Sequence, residues 1–184
     1  GKEIAKFYIS KGCVVGIAGR RTELLKSLQS LCPDRVHIQP VDVTSADAPA
    51  ALEKLVRACG GMDLYVHSSG IGFNNPQLTL DAETQTVTTN AVGFTQMIDT
   101  AFNYFARQGH GHIAAITSIA GTQGLGAAPA YSATKKYQST YLTALAQLAR
   151  VRRRSVRITD IRPGFVRTAL IEGGRYPLQM NVEY

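Results

Sequence analysis

Tyr131 and Lys135 stand four residues apart in Tyr131-Ser132-Ala133-Thr134-Lys135. That spacing puts both side chains on one face of a helix. A free tyrosine titrates near pH ~10, too high for efficient acid/base work near neutrality. A neighbouring ammonium favours the phenolate and should bring that value down. Ser118, in Thr117-Ser118-Ile119-Ala120-Gly121, lies thirteen residues before Tyr131. Its hydroxyl can donate to an oxygen on which negative charge develops. Proton transfer at a substrate oxygen is therefore the chemistry these three residue types would support. The Tyr–Lys spacing alone is prone to coincidence, because any amphipathic helix can expose such a pair.

Elements that could position the three follow from apolar period and chain breakers. Residues 2–11 read as a helix, ended by Gly12, and 14–18 as a short β-branched strand. A helix over 22–31 and a strand over 35–41 come next. Thr44 or Ser45 can cap a helix that runs to Cys59, where Gly60-Gly61 stops it. A strand over 64–67 precedes a long helical region over 81–107, broken by Gly109 and Gly111. Then come a strand over 113–117, a long helix over 129–150 and a strand over 156–161. Strands too apolar to face water, alternating with helices, indicate a parallel sheet covered on both faces. The expected architecture is one doubly wound, Rossmann-like α/β domain over 1–184. Such sheets bind ligands beyond the C-terminal ends of their strands, where Ser118 falls.

Composition narrows the alternatives. Hydrophobic residues make up 45% and charged residues 18%, as in an ordinary globular chain. No apolar run reaches the ~20 residues a membrane helix needs. Cys13, Cys32 and Cys59 are odd in number and lack metal-type spacing. They are expected to be reduced thiols in a cytoplasmic protein. His110 and His112 around Gly111 are expected to form a turn before a strand rather than a metal site. The net charge of +7 admits a polyanionic partner, but only Arg152-Arg153-Arg154 forms a basic run. Without zinc-finger spacing or an aromatic nucleic-acid signature, no nucleic-acid partner is expected.

The ordered set of motifs resembles the short-chain dehydrogenase/reductase family over essentially the whole chain. That family places a serine thirteen residues before the tyrosine of a Tyr-x-x-x-Lys motif, as Ser118 is placed here. Its catalytic asparagine, which helps a lysine-linked water relay, is matched by Asn90 in Thr89-Asn90-Ala91-Val92-Gly93. Val41-Asp42-Val43-Thr44 matches the segment whose aspartate contacts the adenine ring. Pro163-Gly164-Phe165-Val166-Arg167-Thr168 matches the stretch whose threonine holds the nicotinamide carboxamide. The resemblance thus implies Ser118, Tyr131, Lys135 and Asn90 as catalytic residues. It implies cofactor contacts from Asp42, Val43, Tyr131, Lys135, Pro163, Gly164, Val166 and Thr168.

Arg20 and Arg21 bear on the cofactor. An acidic residue at the end of the second strand of a dinucleotide fold takes the ribose 2′-OH of NAD, whereas arginine accommodates a 2′-phosphate. Gly19-Arg20-Arg21 offers two guanidinium groups and no carboxylate, so NADP(H) is expected in preference to NAD(H). The chain departs from the family after its fourth strand. His67-Ser68-Ser69-Gly70 stands in place of Asn-Asn-Ala-Gly. Ser69 and Gly70 can still line a cofactor, and His67 is expected to be a hydrogen-bonded core histidine.

Gly1, running into Lys2-Glu3-Ile4-Ala5, looks like the last glycine of the family's phosphate-cradling loop. On the family pattern, a first strand would precede it and a last strand would follow Tyr184. The resemblance further implies a small-molecule carbonyl or alcohol substrate. It also implies a homodimer or homotetramer formed through the two long helical regions. The competing reading is a non-catalytic NADP(H)-binding sensor on the same fold.

Overall fold

The computed structural model describes residues 1–164. The chain opens with helix α1 (Lys2–Ser10), strand β1 (Val15–Gly19), helix α2 (Thr22–Gln29) and strand β2 (Val36–Pro40). Helix α3 (Ala48–Ala58) and strand β3 (Leu64–His67) follow. Helix α4 (Leu80–Val87) leads through a π-helical segment, Thr88–Gly93, into α5 (Phe94–Gln108). Strand β4 (His110–Ile116), a 3-10 turn (Ile119–Thr122), helix α6 (Pro129–Val151) and strand β5 (Ser155–Ile161) complete the described part.

Among the described residues all strand pairs are parallel. β1 pairs with β2, and β3, β4 and β5 form a second sheet in that order, with β4 in the centre. β1 and β3 are not hydrogen-bonded to each other. Side chains alternate across a strand, and β1 shows the result: Gly16 faces Leu55 of α3 and Cys59 just after it, while Gly19 faces Leu25 of α2. Helices thus cover both faces, as the doubly wound reading requires.

The larger core cluster lies between α5, α6 and the β3–β4–β5 sheet. Phe94, Ile98, Phe105, Ile113 and Leu142 are its largest fully buried side chains. α5 and α6 owe this placement to their apolar stripes. Phe94, Ile98, Ala101 and Phe105 recur every three or four residues on α5, and Leu142, Leu145 and Ala149 do so on α6. A second cluster, around Leu52, Val56 and Met97, ties α3 to α5.

Four local expectations are corrected. α3 is not capped by Thr44 or Ser45: it begins at Ala48, and neither hydroxyl bonds its first turn. Thr44 instead donates from both its amide and its hydroxyl to Asp42, and the Ser45 hydroxyl donates to Asp47. The 81–107 region is a helical path interrupted by the π segment rather than one regular helix. α2 ends at Gln29, short of the expected 31. His110 to His112 belong to β4, because Gly109 in the left-handed region (φ 94°) already ends α5 and lets the strand start at once.

Candidate active site

The site gathers where β3 and β4 end. Ser118 follows β4 in extended conformation and caps the 3-10 turn, its Oγ accepting from the Ala120 amide at 3.1 Å. Behind that turn, α6 carries Tyr131 and Lys135. The turn can approach α6 only because residue 121 is glycine. A Cβ there would sit 2.7 Å from the Lys135 carbonyl carbon and 2.8 Å from the Lys136 nitrogen. Gly72 does the same for the tyrosine: its missing Cβ would lie 2.5 Å from Cδ2 of the Tyr131 ring.

Lys135 is only 4% exposed. Its Nζ donates to the Ile116 carbonyl at 3.2 Å and to Gln138 Oε1 at 3.1 Å, and lies 5.7 Å from the centroid of the Tyr131 ring. Burial lowers its pKa to about 8, opposed by the Asp160 carboxylate. The Tyr131 phenol is shifted the other way from the expected direction. Burial raises it, and the nearby Ser118 hydroxyl only partly counters this. Desolvation penalises the phenolate more than its surroundings favour it, so the side chain is held protonated at neutral pH.

Asn90 is fully buried in the π-helical segment. Its Oδ1 accepts from the Ile71 amide at 2.9 Å, and its Nδ2 donates to the Ile71 carbonyl at 2.7 Å and to Thr134 Oγ1 at 3.2 Å. The side chain is therefore spent on pinning the segment after β3. The Asn90 backbone carbonyl accepts from Gln138 Nε2 at 2.8 Å. Gln138 thus bridges Lys135 and the Asn90 carbonyl, the two groups that the expected relay would join.

Gly70 sits above this floor, where an added Cβ would lie 3.4 Å from both Asn90 Oδ1 and Lys135 Nζ. Ser69 is exposed beside it. His67, at the end of β3, is 2% exposed and packs edge-on against Phe94. Its Nδ1 pairs with the Tyr65 hydroxyl at 3.0 Å, but Nε2 has no partner, so the expected core histidine is only half hydrogen-bonded. Burial lowers its pKa to about 4, with the Lys135 charge acting in the same direction and the nearby Ser69 backbone against it.

The remaining predicted residues lie around this centre. Gly1, at the start of α1, abuts the 67–70 segment: its Cβ position is 2.7 Å from Ser68 Oγ. Arg20 and Arg21 follow β1 and are exposed, Arg21 standing at the N-cap of α2. Asp42 is held below its ordinary value by the hydrogen bonds from the Thr44 amide and hydroxyl. Slight burial opposes that shift, and the Arg20 charge reinforces it. The Val43 carbonyl accepts from the Gln96 side chain of α5. The Pro163 carbonyl accepts from the Ile119 amide at 3.1 Å, which sets Pro163 and Gly164 beside the serine turn. Val166 and Thr168 lie outside the described residues.

A family model described as short chain dehydrogenase matches residues 1–175. The chain belongs to the short chain dehydrogenase family. This short chain dehydrogenase is 30% identical over 190 residues to an uncharacterized oxidoreductase of Myxococcus xanthus, spanning 100% of this chain and 74% of that one. It is 28% identical over 175 residues to nodulation protein G of a Rhizobium species, covering 94% and 71%. Among solved structures it resembles the closed form of a serine dehydrogenase complexed with NADP+. The TM-score is 0.77 at 27% identity, over 89% of this chain and 66% of that one. The Escherichia coli serine dehydrogenase gives a TM-score of 0.77 at 26% identity, over 90% and 78%. The short chain dehydrogenase is thus an oxidoreductase on a Rossmann-like, nucleotide-binding fold. Among the described residues no helix is long and apolar enough to cross a membrane.

Sequence reasoning missed Gln138, Gly72 and Glu83. Gln138 was signalled only by its spacing, seven residues after Tyr131 on the same helix face. Glu83, on α4, accepts from the Ala130 amide at 2.9 Å and from Asn75 Nδ2 at 2.8 Å, and so holds the first turn of α6 from outside.

Proposed function

We propose that the chain is an NADP(H)-dependent dehydrogenase/reductase that interconverts a small carbonyl compound and its alcohol, with Tyr131 as general acid in reduction. The observation that carries this reading is the grouping of Tyr131 with Lys135, whose Nζ lies 5.7 Å from the centroid of the tyrosine ring, behind the Ser118 turn. Ser118 Oγ donates to the substrate oxygen and orients it. Tyr131 gives its proton to that oxygen as charge develops, and Lys135 stabilises the phenolate left behind. A bound nicotinamide cofactor supplies the hydride in reduction and takes it up in oxidation.

The residues present fit such a cofactor. Gly70, which carries no side chain over Lys135 and Asn90, permits a close approach there, and the α1 N-terminus at Gly1 offers backbone amides to a pyrophosphate. Arg20 and Arg21 give two exposed guanidinium groups for a 2′-phosphate, with Asp42 and Val43 at the adenine. Ser69, Pro163, Gly164, Val166 and Thr168 would line the nicotinamide side. That the serine dehydrogenase resembled here was solved with NADP+ supports the same preference. Self-association through α5 and α6, where Tyr137 is 38% exposed, would give a homodimer or homotetramer in the cytoplasm.

The test is Tyr131→Phe, assayed for NADPH oxidation against a panel of carbonyl compounds. Turnover should fall by roughly a thousandfold or more, with NADPH affinity little changed. Wild-type turnover in the variant would sink the proposal.

A further inference from the structure

Gln138 lies one turn beyond Lys135 on α6 and is 1% exposed. Its Oε1 accepts from Lys135 Nζ at 3.1 Å, and its Nε2 donates to the Asn90 carbonyl at 2.8 Å. The partners permit one orientation only. An ammonium donates and a carbonyl accepts, so a flipped amide would break both bonds. The Ile116 carbonyl takes a second ammonium proton at 3.2 Å. Of the three protons on Lys135, one is left for the side on which Tyr131 and Gly70 lie.

We propose that Gln138 is a positioning residue: it clamps Lys135 to the π-helical turn at Asn90 and leaves one ammonium N–H facing the cleft. The inference rests on the reading of Lys135 as part of the acid/base set. An amide provides an acceptor without a charge, and near neutrality it neither takes up nor gives away a proton. The clamp also bears on the charge of Lys135. The titratable groups around the lysine are Asp160 from β5, which favours the ammonium, His67 from the end of β3, and Tyr131 on α6 itself. With Lys135 already lowered to about 8 by burial, the Gln138 acceptor, at 3.1 Å, favours the ammonium over the free amine. A carboxylate in its place would lock the ammonium into a buried ion pair. An apolar side chain would leave both the ammonium and the Asn90 carbonyl short of a partner.

Lysine labelled with carbon-13 at Cε reports the titration of Lys135 by NMR without any need for turnover, and Lys135→Met identifies its resonance. In Gln138→Met, which keeps the length and removes the acceptor, the titration should move to lower pH. In Gln138→Glu it should move to higher pH. The alkaline limb of the pH–rate profile should follow the same two directions. Turnover of Gln138→Met at neutral pH should drop about tenfold, as for the loss of one hydrogen bond to a charged group, while KM changes little. A Lys135 resonance that titrates at the same pH in the wild type and both variants overturns the proposal. A shifted titration without turnover in the wild type supports the clamp and counts against the catalytic reading alone. Should neither variant fold, the wild type decides. The Gln138 side-chain amide protons should exchange slowly with solvent, and exchange as fast as in an exposed glutamine overturns the clamp.

Discussion

Burial drives both members of the Tyr131–Lys135 pair toward their uncharged forms, although Lys135 Nζ lies only 5.7 Å from the centre of the Tyr131 ring. The phenol is raised and the ammonium lowered, so each is costly to ionise unless something else holds the charge. The result is a tyrosine that keeps its proton through neutrality beside a lysine that is still charged there. That combination suits a site that gives a proton to a forming alkoxide.

The first prediction concerns pH. Reduction should be nearly constant through neutrality and decline above about pH 8, as Lys135 loses its charge and no longer stabilises the departing phenolate. Lys135→Met should lower turnover and abolish that limb of the profile. A limb that persists in the variant belongs to another group.

The second concerns Gly72. An alanine Cβ there would stand 2.5 Å from Tyr131 Cδ2 and 3.0 Å from Cγ and Cε2. Either the ring or the chain after β3 must move. Overpacking of this kind costs about 1–3 kcal/mol, and here it falls on the acid itself. Gly72→Ala should therefore lose more in kcat than its drop in thermal stability would suggest, which kinetics and melting curves on the same preparation will compare.

These two residues mark what could and could not be read in advance. The strands and the long helices were legible because β-branched runs and apolar stripes at helical spacing carry them, as Val15–Gly19 and the Phe94–Phe105 stripe show. The Tyr131–Lys135 spacing likewise needed only helix geometry. The sign of the tyrosine shift did not follow, because desolvation depends on what covers the ring, and no local pattern states that. The π-helical segment at Asn90 was illegible for a related reason. One extra residue in a helical turn leaves composition unchanged, and its cause is tertiary: Asn90 is drawn into bonds with Ile71 and Thr134 from other parts of the chain. Gln138 could not be distinguished from a surface glutamine until both its partners were in place.

A third prediction addresses the cofactor. Replacing Arg20 and Arg21 together by alanine should raise the KM for NADPH by at least roughly tenfold, while that for NADH changes little, since only the former carries the 2′-phosphate. Equal effects on both cofactors would mean that the guanidinium groups act elsewhere.

The last prediction concerns His67, whose burial is a cost at low pH. Its ordinary value of 6.5 is lowered to about 4 in the folded chain, first by burial and then by the Lys135 charge. Between those two values the unfolded state binds more protons than the folded one, so stability rises with pH. The contribution is fully present above pH 6.5 and is lost progressively as pH falls toward about 4. Its full span is on the order of 3 kcal/mol. Urea unfolding at stepped pH should therefore show the wild type losing stability over this window relative to His67→Gln, which cannot take up the proton. The buried, unpartnered Nε2 agrees with a neutral imidazole in the folded chain. Parallel curves for the two proteins would mean that water or a local opening already solvates the imidazole in the native state.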